Sequence, residues 1–259
     1  MNESFTTKAI VLHRRSIGEN SEAVLLLSPQ RGRIDVACRG LNKPRSALRG
    51  KVEPFNELEG LVVKGRGNLW NLTQAKIIKI RPTFYASYEC MCWGCFLLEL
   101  ASKIAPGVRE DAYLGTPEEC RAFYSILKES LDGIESQPRK GVAVSIWALG
   151  RFVPFLGIAP NLDNCCICQK RKPTGFSVAL GGGVCNDCLG LHGDVIWVED
   201  EIWQLWRNFR NSTLEEALAE KHFAKIYAKA EALAWEHIRV HWNLELKARR
   251  LLKIGDYKV

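Results

Sequence analysis

The chain has 259 residues, carries 36 Lys and Arg against 29 Asp and Glu for a formal net charge of +7, and is 47% hydrophobic. This excludes a disordered or fibrous chain, and the length fits one large domain or two to three small ones. Residues 1–82 hold 15 cations and 7 acids while the remainder holds 21 and 22, so the basic excess belongs to the first third and points to a polyanionic partner there.

Residues 5–82 read as β. Short apolar or alternating runs rich in Val and Ile, at 7–13, 23–28, 33–39, 58–64 and 72–80, are separated by turn-forming clusters such as Pro29-Gln30-Arg31-Gly32. Five such strands predict a small closed or partly closed barrel, OB-like or SH3-like, because a sheet of that size needs closure to hide its edges. At Pro82 the period becomes helical: Tyr85, Tyr88, Cys92, Cys95, Phe96 and Glu99 share a spacing that stops before Pro106-Gly107. A second helix starts at Thr116 as N-cap, with Pro117 at its first position and Glu118-Glu119 in its first turn, and runs to Gly133. A third covers 140–155 and ends at Gly157. The most apolar stretch, 141–162, is broken by Arg151, Pro154 and Pro160, and its uninterrupted piece of about ten residues is too short to span a bilayer. Beyond residue 200 follow a helix at 201–209, a capping box at Ser212-Thr213-Leu214-Glu215, and a stripe of Ile226, Tyr227, Ala230, Leu233, Ala234 and Ile238 that reads as a core face.

Ten cysteines in a chain of this size do not read as a disulfide scaffold, since Met1-Asn2-Glu3-Ser4 opens no export signal and the core is ample. A soluble, cytoplasmic protein is expected. Cys165-x-x-Cys168, sixteen residues, then Cys185-x-x-Cys188 has the spacing of a four-thiolate zinc site. Four thiolates leave no open position on the metal, so the zinc is expected to be structural rather than catalytic. Gly181-Gly182-Gly183 is expected to supply left-handed turns beside it. Cys166 competes with Cys165 as ligand, although the two-residue gap to Cys168 favours Cys165, and His192 is a weaker substitute. Lys170-Arg171-Lys172, between the pairs, reads as a solvated turn in preference to a phosphate contact. Cys92-Trp93-Gly94-Cys95 mimics a thiol-exchange motif, but it lies inside a helical run with no preceding strand and reads as small residues packing between helices.

Between residues 31 and 51 stand Arg31, Arg33, Arg39, Lys43, Arg45, Arg49 and Lys51 against the single acid Asp35. Arg14 and Arg15 lie in the preceding turn, and Lys64 and Arg66 in a later one. A cationic groove that follows a phosphate backbone, with Phe55 or Trp70 stacking on bases, is what single-strand binding requires. Gly65-Arg66-Gly67 does not extend to a dinucleotide fingerprint, and no phosphate loop, nucleophile elbow or catalytic carboxylate pair is present.

This order of parts resembles the RecO family of bacterial recombination mediators. The matching stretches are Arg31-Gly32-Arg33 through Arg39-Gly40 to Lys43-Pro44-Arg45-Ser46-Ala47-Leu48-Arg49-Gly50, then Pro54-Phe55, Leu69-Trp70-Asn71-Leu72-Thr73-Gln74-Ala75, Ser87-Tyr88 with Leu97-Leu98-Glu99-Leu100, and Phe155-Leu156-Gly157-Ile158-Ala159-Pro160-Asn161-Leu162 before Cys165. Two departures are the extra Cys166 and Gln169, where a Gly commonly follows the first cysteine pair. The resemblance implies an α+β chain: an OB-fold barrel over 1–82, a helical domain over 83–160 and 193–259, and a zinc-binding insert over 161–192. It implies a non-enzymatic, nucleoid-associated DNA repair and recombination mediator that binds single- and double-stranded DNA and anneals complementary strands. The implied partners are RecR, the acidic C-terminal tail of the single-stranded DNA-binding protein SSB, and indirectly RecA, with no membrane. The DNA surface is expected to include Arg14, Arg15, Arg31, Arg33, Arg39, Lys43, Arg45, Arg49, Lys51 and Arg66. An alternative is an RNA-binding factor built from the same barrel and ribbon without annealing activity. A DNA ligase is disfavoured because no Lys-x-Asp-Gly motif occurs.

Overall fold

The computed structural model describes residues 3–65, 69–109, 112–191 and 194–252. Contacts divide the chain into two units, 1–135 and 136–259.

The first unit is a barrel with attached helices. Strands β1 (Ser4–Gly18), β2 (Ser21–Ser28), β3 (Gly32–Cys38), β4 (Glu57–Val63) and β5 (Trp70–Lys79) contain the five expected runs or most of each. β1 pairs antiparallel with β2 and β4, β2 with β3, and β4 with β5. Parallel pairing of Val36 with Trp70 and Ala37 with Asn71 joins β3 to β5 and closes the barrel in OB-like fashion. Alternate residues point inward: Ala9 and Val11, Val24 and Leu26, Ile34 and Val36, Leu58 and Val62, and Leu72 form one core. Because the side-chain period is two, a one-residue slip would turn this whole set outward, so burial fixes the register.

Helices α1 (Thr83–Ala86) and α2 (Tyr88–Ile104) follow, with the Ser87 Oγ accepting from Cys90 N (3.3 Å) as α2's N-cap. The Cys92-Trp93-Gly94-Cys95 tetrad lies within α2, beyond its first turn. A Cβ on Gly94 would come within 2.5–2.7 Å of the Phe84 and Phe55 rings, so this glycine is set by close packing. Two strands that the sequence reading did not foresee, β6 (Gly107–Arg109) and β7 (Ala112–Leu114), extend the sheet through a parallel pairing of Arg33 with Gly107. Helix α3 (Pro117–Ser136) begins as expected at Thr116, whose Oγ1 accepts from Glu119 N (3.2 Å) while Glu119 Oε2 accepts from Thr116 N (2.6 Å). It continues one turn past Gly133.

The second unit centres on α4 (Gly141–Phe152), which is apolar on nearly every side and accordingly buried. Strands β8 (Gly175–Ser177), β9 (Gly182–Val184) and β10 (Val195–Trp197) form a small antiparallel sheet in the order β10-β8-β9. Helices α5 (Asp200–Asn211), α6 (Leu214–Ala219) and α7 (Ala224–Trp242) pack on α4. The capping box sits one residue later than expected. Thr213, not Ser212, is the N-cap of α6, and Glu216 is its reciprocal partner (2.7 and 3.2 Å). Ser212 instead ends α5 and offers its carbonyl to Trp147 Nε1 (3.2 Å) and to Arg151. The expected α7 stripe is a core face: Ala230, Leu233 and Ile238 are buried. No helix among the described residues is long and apolar enough to cross a membrane.

Candidate nucleic-acid interface and metal centre

The 18-residue segment between β3 and β4 makes the first site. Leu41, Leu48 and Val52 turn inward and join the barrel core, while Lys43, Arg45 and Arg49 between them are exposed. Apolar anchors thus hold a basic loop against the barrel wall, so little chain entropy remains to be lost when a ligand binds. Between this loop and the ends of β3, β4 and β5 lies an open groove of about 780 Å³. Arg39, Lys43, Arg45 and Lys64 line it together with Ser46, Asn71 and Thr73; among the described residues no carboxylate lines it, and Lys64 Nζ pairs with Glu3 (3.4 Å). Arg39 Nε donates to Asn71 Oδ1 (3.0 Å), which fixes one guanidinium against β5.

The expected cations therefore separate into two groups. Arg39, Lys43 and Arg45 come together in the groove, and Arg15 and Arg49 are exposed outside its lining. Others serve the fold. Arg14 bridges Glu22 (2.7 Å) and Glu53. Arg33 donates to Ser102 O (2.5 Å) at the end of α2, and Lys51 Nζ donates to Ala75 O (2.8 Å). Arg31 belongs to neither set: its guanidinium lies 4.0 Å over the Phe5 ring. Arg66 lies outside the described residues. Phe55 is buried, stacked on Phe84 at 4.4 Å and edge-on to Tyr85, and is withdrawn from any ligand. Trp70 is half-buried.

The second site is a cage of four cysteines. The Sγ atoms of Cys165, Cys168, Cys185 and Cys188 all lie within 4.8 Å of one another, and those of Cys168 and Cys185 are 3.8 Å apart. Each pair sits on a tight turn: Gln169 N donates to Cys165 O (2.9 Å) and Cys188 N to Cys185 O (3.0 Å). Burial raises the Cys165 thiol, but backbone N–H groups of Cys168, Cys185 and Ile167 outweigh it and bring it down to about 6. Burial and the other three thiols push Cys188 up to about 12. Four sulfurs this close cannot all ionise without a cation among them, so the donor set fits a thiophilic metal ion. Cys166 is not part of the cage. Its N–H donates to Gly183 O (2.8 Å) and its sulfur rests beside Gly182. His192 lies outside the described residues. Of the three glycines, only Gly181 takes the left-handed region (φ +72); Gly182 and Gly183 are needed because Asn161 and Pro173 crowd them. In the intervening turn Arg171 pairs with Asp187, and Lys172 lies 3.8 Å from Asp200.

Two family descriptions cover most of the sequence: Recombination protein O N terminal matches residues 1–81, and Recombination protein O C terminal matches residues 110–250. The chain belongs to the RecO family of DNA repair proteins. It is 25% identical over 252 residues to the DNA repair protein RecO of Pelotomaculum thermopropionicum, covering 96% of this chain and 93% of the relative. It is 22% identical to that of Caldanaerobacter subterraneus subsp. tengcongensis over 96% of this chain and 98% of the relative, and 29% identical to that of Cutibacterium acnes over 71% and 74%. In this RecO family chain the groove also draws on Lys64, the cation expected in the later basic turn, and on Asn71 and Thr73, which carry no charge for a count of cations to find.

Proposed function

We propose that this RecO family protein is a non-catalytic mediator of DNA repair and recombination that binds single- and double-stranded DNA through the barrel groove and anneals complementary strands. The observation that carries this reading is a groove lined by Arg39, Lys43, Arg45 and Lys64, with no carboxylate in its lining among the described residues. Annealing asks for no covalent step. Cations on a preformed surface neutralise phosphates, release condensed counterions and lower the repulsion between two strands. Base pairing then supplies sequence specificity. Arg15, Arg31, Arg49 and Arg66 extend the positive field, and Arg14, Arg33 and Lys51 contribute to it from their structural positions.

The bound metal is zinc in this reading, held by Cys165, Cys168, Cys185 and Cys188, and it folds a lobe whose strands of three residues are too short to hold alone. RecR is the partner in loading RecA, itself an indirect partner, onto SSB-coated strands, and the setting is the nucleoid within the cytoplasm. The acidic SSB tail is engaged through the helical unit in this reading.

The test is annealing of complementary oligonucleotides precoated with SSB, with RNA strands as competitors. The expected result is faster annealing with the protein, lost when Arg39, Lys43 and Arg45 are replaced together by Glu. Preference for RNA and no acceleration of DNA annealing would replace this reading with that of an RNA-binding factor.

A further inference from the structure

We infer that Phe5, Trp70 and Arg31 form a stacking platform for one unpaired nucleobase, which lets the barrel distinguish a single strand from a duplex. The inference rests on the DNA-binding reading of the groove and adds to it a second subsite with different chemistry. Phe5 near the start of β1 and Trp70 at the start of β5 are half-buried, each packed on the barrel core. Their rings meet edge to face with centroids 5.0 Å apart.

What covers them is not apolar. The Arg31 guanidinium carbon stands 4.0 Å over the Phe5 ring and 5.9 Å from Trp70, and Lys64 Nζ, which pairs with Glu3 (3.4 Å), stands 6.0 Å from Trp70. Among the described residues no carboxylate pairs with Arg31. An aromatic pair needed only to plug a barrel end has no use for two cations over its faces. A guanidinium plane on an aromatic ring, however, is the kind of surface on which an unstacked base settles, with the remaining N–H groups free for base oxygens or phosphate. Lys64 lines the groove as well, so a strand whose phosphates follow the groove brings a base to the platform. In a duplex the bases are already stacked and paired, and none is available to enter. The groove reads charge, which both forms of DNA carry; the platform reads an unpaired base, which only the single strand offers.

The test uses the full-length, metal-loaded protein with a fluorescein-labelled oligothymidine strand and a blunt duplex of equal length. Trp70→Leu should weaken single-strand binding about tenfold, the effect of one lost base stack, and leave duplex binding unchanged, whereas Arg31→Ala, which also removes one cation of the shared field, should weaken single-strand binding clearly more than duplex binding. Trp70→Phe, which keeps an aromatic face, should restore most of the single-strand affinity. Lys43→Ala with Arg45→Ala should weaken both ligands together. If Trp70→Leu does not fold, Arg31→Ala decides, since Arg31 lies outside the core. Arg31→Ala that lowers both affinities alike, or neither, overturns the platform while leaving the groove in place. A wild-type protein that binds neither ligand overturns the underlying DNA-binding reading as well.

Discussion

Arg81 is fully buried and donates to Asp132 on α3 through Nη2 (2.7 Å) and Nε (3.2 Å), joining the end of the barrel's last strand to a helix 51 residues further along. The same guanidinium donates from Nη1 to Phe55 O (2.8 Å), and Phe55 sits at φ +71, a conformation that a bulky side chain rarely adopts. Glu57, 3.7 Å from Arg81, in turn accepts from Tyr124 Oη (2.6 Å). One buried cation thus holds a strained loop, a strand and a helix. Arg81→Met should destabilise the first unit by about 3 kcal/mol, because it leaves the buried Glu57 without its counter-charge. Asp132→Asn should cost less, since Asp132 is partly exposed and Glu57 still faces Arg81. Denaturant titration of each variant measures both.

The same contact sets an acid limit. Burial alone would raise the Asp132 carboxyl, but hydrogen bonds from Lys128, Lys79 and Arg81 prevail and hold it at about 2 against an ordinary 3.8. A carboxylate lowered on folding stabilises the native state at pH above its unfolded value and loses that contribution as pH falls through its folded one. The stability difference between wild type and Asp132→Asn should therefore be constant above pH 3.8 and vanish as pH approaches 2. Taking the difference cancels the acid sensitivity of the cysteine cage, which both proteins share. A difference that persists unchanged at the lowest pH would contradict the assignment.

Arg81 also marks where sequence reading stops. At the end of an apolar run, next to Pro82, it is indistinguishable from a solvated cation, and only the return of α3 to the barrel buries it. The five strands were legible because their period of two is a local property, and the cage because a metal imposes its own spacing. The β6 and β7 hairpin was not legible, since three-residue strands carry no period and their pairing depends on Arg33, some 70 residues earlier. Likewise Ser212 and Thr213 each precede a Glu by three residues, and the choice between them is made by Arg151 and Trp147, which claim the Ser212 carbonyl.

The division of the cations gives a measurable contrast. Under the proposed reading, Lys43→Ala or Arg45→Ala should each reduce the salt dependence of single-strand binding by about 0.7 in log–log slope, the value for one lost phosphate contact. Arg33→Ala and Lys51→Ala remove charged donors from Ser102 O and Ala75 O. They should leave the slope nearly unchanged and lower stability by about 1–3 kcal/mol. Equal slopes for all four variants would mean that the groove has no special share in binding.

Metal content separates the two adjacent cysteines. Cys165→Ser should abolish stoichiometric zinc, measured by elemental analysis of the purified protein, whereas Cys166→Ser should retain it, because the Cys166 sulfur turns toward Gly182. Loss of the metal should unfold the lobe around β8 and β9 while the barrel, which contributes no ligand, keeps its far-ultraviolet signature. Metal lost from Cys166→Ser but retained in Cys165→Ser would exchange their roles.

Gln169 offers a gain rather than a loss. It follows the first cysteine pair at φ +60, in the left-handed region that disfavours any residue with a Cβ. The turn requires that conformation: Gln169 N must reach Cys165 O (2.9 Å) for the two sulfurs to face one side. The side chain recovers part of the cost through a bond from Nε2 to Cys166 O (3.2 Å), but that bond is exposed to water and worth little. Gln169→Gly relieves the strain and gives up only this contact, although glycine also gains freedom in the unfolded chain. The balance should favour the glycine variant by about 0.5–1 kcal/mol. It should appear as slower metal release to a chelator such as EDTA, with DNA binding unaltered. Faster release from Gln169→Gly would show that the amide contact to Cys166, not the backbone conformation, governs this turn.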